Sequence, residues 1–113
     1  MASPDLVASA RSGDASALAV LLDPLWDPAY RLAFSMLRER EAAEDAVQEA
    51  ALKALHSVRN LRSDTPSLRP WFLTIVANQC RSTRRSRWWR VLRFADLTQA
   101  RSSETTKAEE RMD

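Results

Sequence analysis

Apolar positions along this chain recur with the spacing of helices rather than the alternation of strands. Leu6, Val7 and Ala10 follow Ser3-Pro4-Asp5, a helix start with Ser3 as cap, Pro4 in the first turn and an acid at the positive end. Gly13 stops that helix, and Asp14 is placed to cap the next. Leu18, Leu21, Leu22 and Leu25 then form an i, i+3, i+4, i+7 stripe that predicts a core face. Pro24 and Pro28 interrupt it. Asp27-Pro28 restarts the chain as cap and first-turn proline, and Tyr30, Ala33, Phe34 and Leu37 share the next core-facing stripe. Arg38 to Glu41 read as a short charged link.

From Glu41 to Leu55 the pattern is densest. Six of these fifteen residues are Ala and none is Gly or Pro, so helix is the favoured conformation. At 100° per residue, Ala43, Val47, Ala50, Ala51 and Ala54 lie on one stripe, extended by Val58. The opposite side carries Asp45, Gln48, Glu49, Leu52 and His56. Two readings of that side stand: a solvated face on which Glu49 pairs with Lys53, or a docking face where Leu52 is ringed by acceptors for a partner's donors.

Residues 59–69 lose the period. Arg59, Arg62 and Arg69 are mixed there with capping residues and Pro66, which reads equally as a functional loop or a helix connection. Pro70 opens the next helix, Trp71 to about Arg85. Phe72, Leu73, Val76 and Cys80 form its core side. Trp71, Thr74, Asn78, Arg81, Ser82 and Arg85 form the other, with Ile75 at the border. Such a face suits single-stranded DNA, because guanidiniums hold phosphates, an indole stacks on a base and an amide reads base edges. Alternatively, Trp71 and Ile75 pack on another helix while the arginines are solvated.

Composition sharpens the picture. The chain has 113 residues, 45% of them apolar, which suits one globular domain with a modest core. A single Gly leaves little material for hairpins or phosphate loops. The expected class is therefore all-α, a compact bundle of about four to five helices with a flexible C-terminal tail. Cys80 is alone, which excludes an internal disulfide and a cysteine metal cluster and suits a reducing cytoplasm. No apolar run approaches the ~20 residues that span a bilayer, so no membrane insertion is expected. Charge is uneven. Residues 1–58 hold five basic and nine acidic side chains, a balance of −4. Residues 59–94 hold nine Arg against Asp64 alone, a balance of +8 without a single Lys. A phosphate-bearing partner follows. The tract Arg84 to Phe94 interleaves arginines with Trp88 and Trp89. It also admits a reading as a membrane-surface helix, although alternating Arg makes a poor apolar face. The division expected from composition is a helical domain over residues 1–94 and a polar, disordered linker over 95–113.

Ala43-Glu44-Asp45-Ala46-Val47-Gln48-Glu49 resembles the AED-x-x-QE signature of bacterial sigma factors, in the helical domain called region 2. Pro70 to Asn78 resembles that family's W-L-x-x-I-x-x-N run. The closer likeness is to the extracytoplasmic-function branch, with departures at Ala51 and Leu55, where bulky aromatics are common. The resemblance covers about residues 6–93 and implies the sigma region 2 fold. It implies docking of Asp45, Gln48, Glu49 and Leu52 on the clamp helices of the largest subunit of RNA polymerase. It implies further that Arg62, Ser63 and Asp64, in the loop, capture a base flipped from the promoter minus-ten element. Trp71, Thr74, Asn78, Arg81, Arg84 and Arg85 would hold and help melt the non-template strand. Trp71 falls where housekeeping members carry strand-separating tryptophans. An anti-sigma factor is a further partner the likeness admits, and residues 95–113 would lead towards a second DNA-binding domain. Location would be cytoplasmic, with no cofactor.

Enzymatic function finds no constellation to rest on. His56 is the one histidine, Cys80 lies on the core side, and no acid pair has a reason to be perturbed. The alternative class is a non-sigma helical nucleic-acid-binding or polymerase-associated regulatory module. It would share the basic face without needing Asp45, Gln48 and Glu49 together.

Overall fold

The computed structural model describes the backbone of residues 4–62, 65 and 67–112, and the side chains of residues 4–62, 65 and 67–98. Ser3, expected to cap the first helix, lies outside the described residues. Among those described there are five α-helices and no strand. They are α1 (Pro4–Arg11), α2 (Ala15–Leu22), α3 (Trp26–Leu37), α4 (Arg40–Ser57) and α5 (Arg69–Met112), with 3-10 turns at Asp23–Leu25 and Val58–Asn60. The chain divides into two compact units, Met1–Ser82 and Thr83–Asp113.

In the first unit the α1–α2 corner follows the sequence closely. Gly13 has φ +106, and the Gly13 and Asp14 amides donate to the carbonyls of Ala10 (3.1 Å) and Ser9 (3.0 Å). This left-handed termination satisfies the last carbonyls of α1, and a Cβ at Gly13 would be strained by φ alone. Asp14 then turns its carboxylate onto the amides of Ser16 and Ala17, at 3.0 and 3.3 Å, and so caps α2. Leu18, Leu21 and Leu22 are buried, and Leu25 packs against the same core half-buried.

Two expectations fail in α3. Asp27 is not its cap: the 3-10 turn Asp23–Leu25 runs straight into the helix, which begins at Trp26 and leaves Asp27 in the first turn. Phe34 is not core either, being 44% exposed, while Ala29, Ala33 and Leu37 are buried. The reason lies across the interface. α3 packs chiefly against α4, whose inner side is almost entirely alanine. Two small-residue surfaces close more tightly than an aromatic would permit, so α3 turns Ala29 and Ala33 inward and leaves Phe34 at the edge, stacked on Tyr30 (6.4 Å between rings, 22°). Arg38 ends α3 in the left-handed region at φ 58, its amide bonded to the Phe34 carbonyl at 2.8 Å. Only Arg38 and Glu39 separate α3 from α4.

α4 buries Ala42, Ala43, Ala46, Val47, Ala50 and Ala54, and the following turn buries Val58. Leu61 and Leu68 are buried on either side of the 62–67 loop. α5 then starts, carrying Phe72, Val76 and Cys80 into the core at 0% exposure. Trp26 meets Phe72 edge-on, at 6.1 Å and 87°, a favoured aromatic geometry. In the second unit the helix does not stop near Arg85 but continues to Met112. After Pro70 the sequence contains neither Gly nor Pro, so nothing local terminates it.

Candidate functional site

The docking-face residues are all presented to solvent. Asp45, Gln48, Glu49 and His56 are exposed, and Leu52 is 58% exposed although it is a large aliphatic side chain. What holds them outward is the opposite side of the same helix. With Ala43, Ala46, Ala50 and Ala54 pressed against the core, the rotation of α4 is fixed. Asp45 and Glu49 form no ion pair with any described residue. Lys53, the one candidate to neutralise Glu49 from the next turn, instead donates to the Gln79 side-chain carbonyl on α5. The pairing of Glu49 with Lys53 is therefore not what this face is made of. Like charges stand one turn apart with their acceptors free.

Sequence reasoning missed a second feature beside this face. Arg40 and Glu44 pair at 3.4 Å and, with Tyr30 and Phe34, line an open groove of about 560 Å³ between α3 and α4. The signal was present in the sequence, because Tyr30 and Phe34 stand at i, i+4, but it was spent on the core.

The 62–67 loop is staked at both ends by buried leucines, Leu61 and Leu68. Within it the amide and hydroxyl of Thr65 both donate to the Arg62 carbonyl, at 3.2 and 2.7 Å. Ser67 Oγ accepts from the Arg69 amide at 3.3 Å, at the threshold of α5. Arg62 is exposed, and Ser63 and Asp64 lie outside the described residues.

On the first turns of α5, Trp71 and Ile75 are half-buried against the core while Thr74, Asn78 and Arg81 are exposed. The packed and the presented readings of Trp71 are thus both partly realised, in one indole. The Thr74 hydroxyl donates to the Pro70 carbonyl (2.7 Å), which leaves its oxygen free to accept. Arg81 Nη1 donates to Asn78 Oδ1 at 2.8 Å, so the amide orients the guanidinium and keeps its own N–H groups available. Cys80 is fully buried on the reverse side. Burial pushes its pKa up from the ordinary thiol value, with Arg81 pulling less strongly the other way. Arg84 and Arg85, in the second unit, are exposed.

Residues 25–90 match the sequence model of the Sigma-70 region 2 family. The chain belongs to that family. The match spans more than half of the sequence and contains α3, α4, the loop and the first turns of α5, where every candidate side chain stands. No curated protein and no solved structure matches the chain. Sigma-70 region 2 domains serve transcription initiation by binding RNA polymerase and recognising promoter DNA, and they are not catalytic. Among the described residues of this sigma region 2 chain, no group of three or more His, Cys, Asp or Glu is placed to hold a metal ion. No helix among them is long and apolar enough to cross a membrane.

Proposed function

We propose that this sigma region 2 chain, of the extracytoplasmic-function type, brings RNA polymerase to a promoter and opens its minus-ten element. Asp45, Gln48, Glu49 and Leu52 dock on the clamp helices of the polymerase's largest subunit, in the cytoplasm. Leu52 supplies the apolar anchor, and the free carboxylates and amide meet basic and amide donors around it. Arg62, Ser63 and Asp64 capture a base flipped from the minus-ten element. Trp71, Thr74, Asn78 and Arg81 hold the non-template strand, and Arg84 and Arg85 add phosphate contacts. With one indole in that position and half of it packed, melting relies on strand capture more than on wedging. An anti-sigma factor that regulates the chain would compete for the α4 face, and residues 95–113 lead towards a second DNA-reading domain.

The observation that supports this reading most strongly is the division of α4 into a largely alanine inner wall and an outer face on which Asp45 and Glu49 form no ion pair with any described residue. Binding of labelled chain to core RNA polymerase tests it. Asp45→Ala and Glu49→Ala should each weaken binding by roughly 1–3 kcal/mol, without loss of helical content. Wild-type affinity in the double variant would refute the docking role.

A further inference from the structure

The geometry points to a second DNA contact, outside the minus-ten surface: Ser86, Trp89, Arg90 and Arg93 form a sequence-tolerant cradle for a single-stranded DNA backbone. These four side chains line one open depression of about 520 Å³ on the helix of the second unit. Arg90 and Arg93 are exposed, and Trp89 is 58% exposed. From Ser86 to Arg93 the helix rises about 10 Å, at 1.5 Å per residue. A strand that keeps the stacked spacing of duplex DNA, about 3.4 Å per nucleotide, would run about three nucleotides along this row. The hydroxyl and two guanidiniums supply hydrogen-bond donors of the kind phosphate oxygens accept. An indole beside them offers a stacking platform, which every base can use.

Charge selects the occupant. Residues 83–98 carry five Arg against Asp96 alone. A second copy laid with the same stretch against itself would set five Arg against five Arg. A membrane surface would need apolar and basic residues on separate sides, but Arg84 and Arg85 flank the Trp88, Val91 and Leu92 side while Phe94 and Leu97 fall among the other arginines. Membership of a promoter-recognising family supplies DNA as the polyanion. The cradle requires neither the docking face nor Asn78, so it stands or falls apart from them.

The test uses the full chain and a labelled single-stranded DNA of non-promoter sequence, titrated by fluorescence anisotropy across a salt series. Arg90→Gln with Arg93→Gln should flatten the slope of log affinity against log salt by about 1.4, at ~0.7 per phosphate contact. Trp89→Ala should weaken binding about 5- to 100-fold with the slope unchanged, and should have no such effect on the same sequence as duplex. Circular dichroism establishes that each variant stays helical, as expected at exposed positions taking good helix formers. An unchanged slope in the arginine variant would overturn the cradle. So would equal Trp89→Ala losses on single strand and duplex. Co-sedimentation with phosphatidylserine vesicles that depends on Trp89, in place of DNA binding that does, would reassign the surface to a membrane.

Discussion

Replacing Asp45 by Asn and Glu49 by Gln should make the free domain more stable and its complex with polymerase weaker. Asn and Gln keep the shape and nearly the helix propensity of the acids, so the change isolates charge. In the native chain the two carboxylates stand at i, i+4 on an exposed face, and Lys53 is engaged by Gln79 rather than by Glu49. Removing like charges at that spacing contributes a few tenths of a kcal/mol, about 0.2–0.5. For a domain of this size that raises the melting temperature by roughly 1–4 °C. If Glu49 were instead paired with Lys53, the same double variant would lose a favourable pair and melt lower. The sign therefore separates the two arrangements even though the magnitude is small. The assay is thermal unfolding at low salt, repeated at high salt, where screening should erase the difference. Binding to core polymerase, measured in parallel, should fall while stability rises. A variant that melts lower than wild type at low salt would refute the unpaired-acid account of α4.

Three further outcomes follow from the same geometry. Phe72→Ala removes a fully buried ring and its edge contact with Trp26, so it should destabilise by about 3–5 kcal/mol in a denaturant titration, and a loss under 1.5 kcal/mol would show that the site is not core. Asn78→Ala should blunt discrimination among minus-ten oligonucleotides while leaving the salt slope intact, because Arg81 keeps its charge when its amide partner goes; a reduced slope would contradict this. Cys80 stays protonated in the fold, since burial raises its pKa. Above pH 9 the unfolded chain releases this proton and the native one holds it, so the thiol's contribution is present below that pH and is lost as pH climbs towards the folded pKa. The stability difference between wild type and Cys80→Ala should shrink accordingly in alkaline melts, and a difference that grows would reverse the assignment.

The outer face of α4 was legible because fifteen residues without Gly or Pro leave one conformation, and small and large side chains then sort by angle. The Asp14 cap and the Gly13 stop were legible for a similar reason: each is a local arrangement that one residue type performs best. Phe34 was not. Hydrophobicity ranks a Phe above an Ala for the core, but an alanine wall on the neighbouring helix inverts that ranking, and the wall is visible only once α3 and α4 are paired. The Lys53–Gln79 tie was hidden in the same way, since it joins residues 26 positions apart. The length of α5 was misjudged for a different reason. Polarity after Arg93 signals exposure, and exposure does not end a helix that lacks a breaker.

The alanine wall has a mechanical consequence. A methyl side chain has no rotamers to exchange, so the inner surface of α4 cannot yield by reshuffling when something pulls or presses on the outer one. Ala43, Ala50 and Ala54 have no exposed area at all, so their methyl groups are fully covered by the packed body. A load applied at Leu52 or Glu49 is therefore carried by the helix as a stiff rod and passed to the packed body behind it. In a larynx or a hinge such a part would be cartilage rather than muscle: it transmits position and absorbs little. A partner gripping α4 would hold the whole first unit in register, which is what a protein that must aim a DNA-reading surface at a fixed point requires.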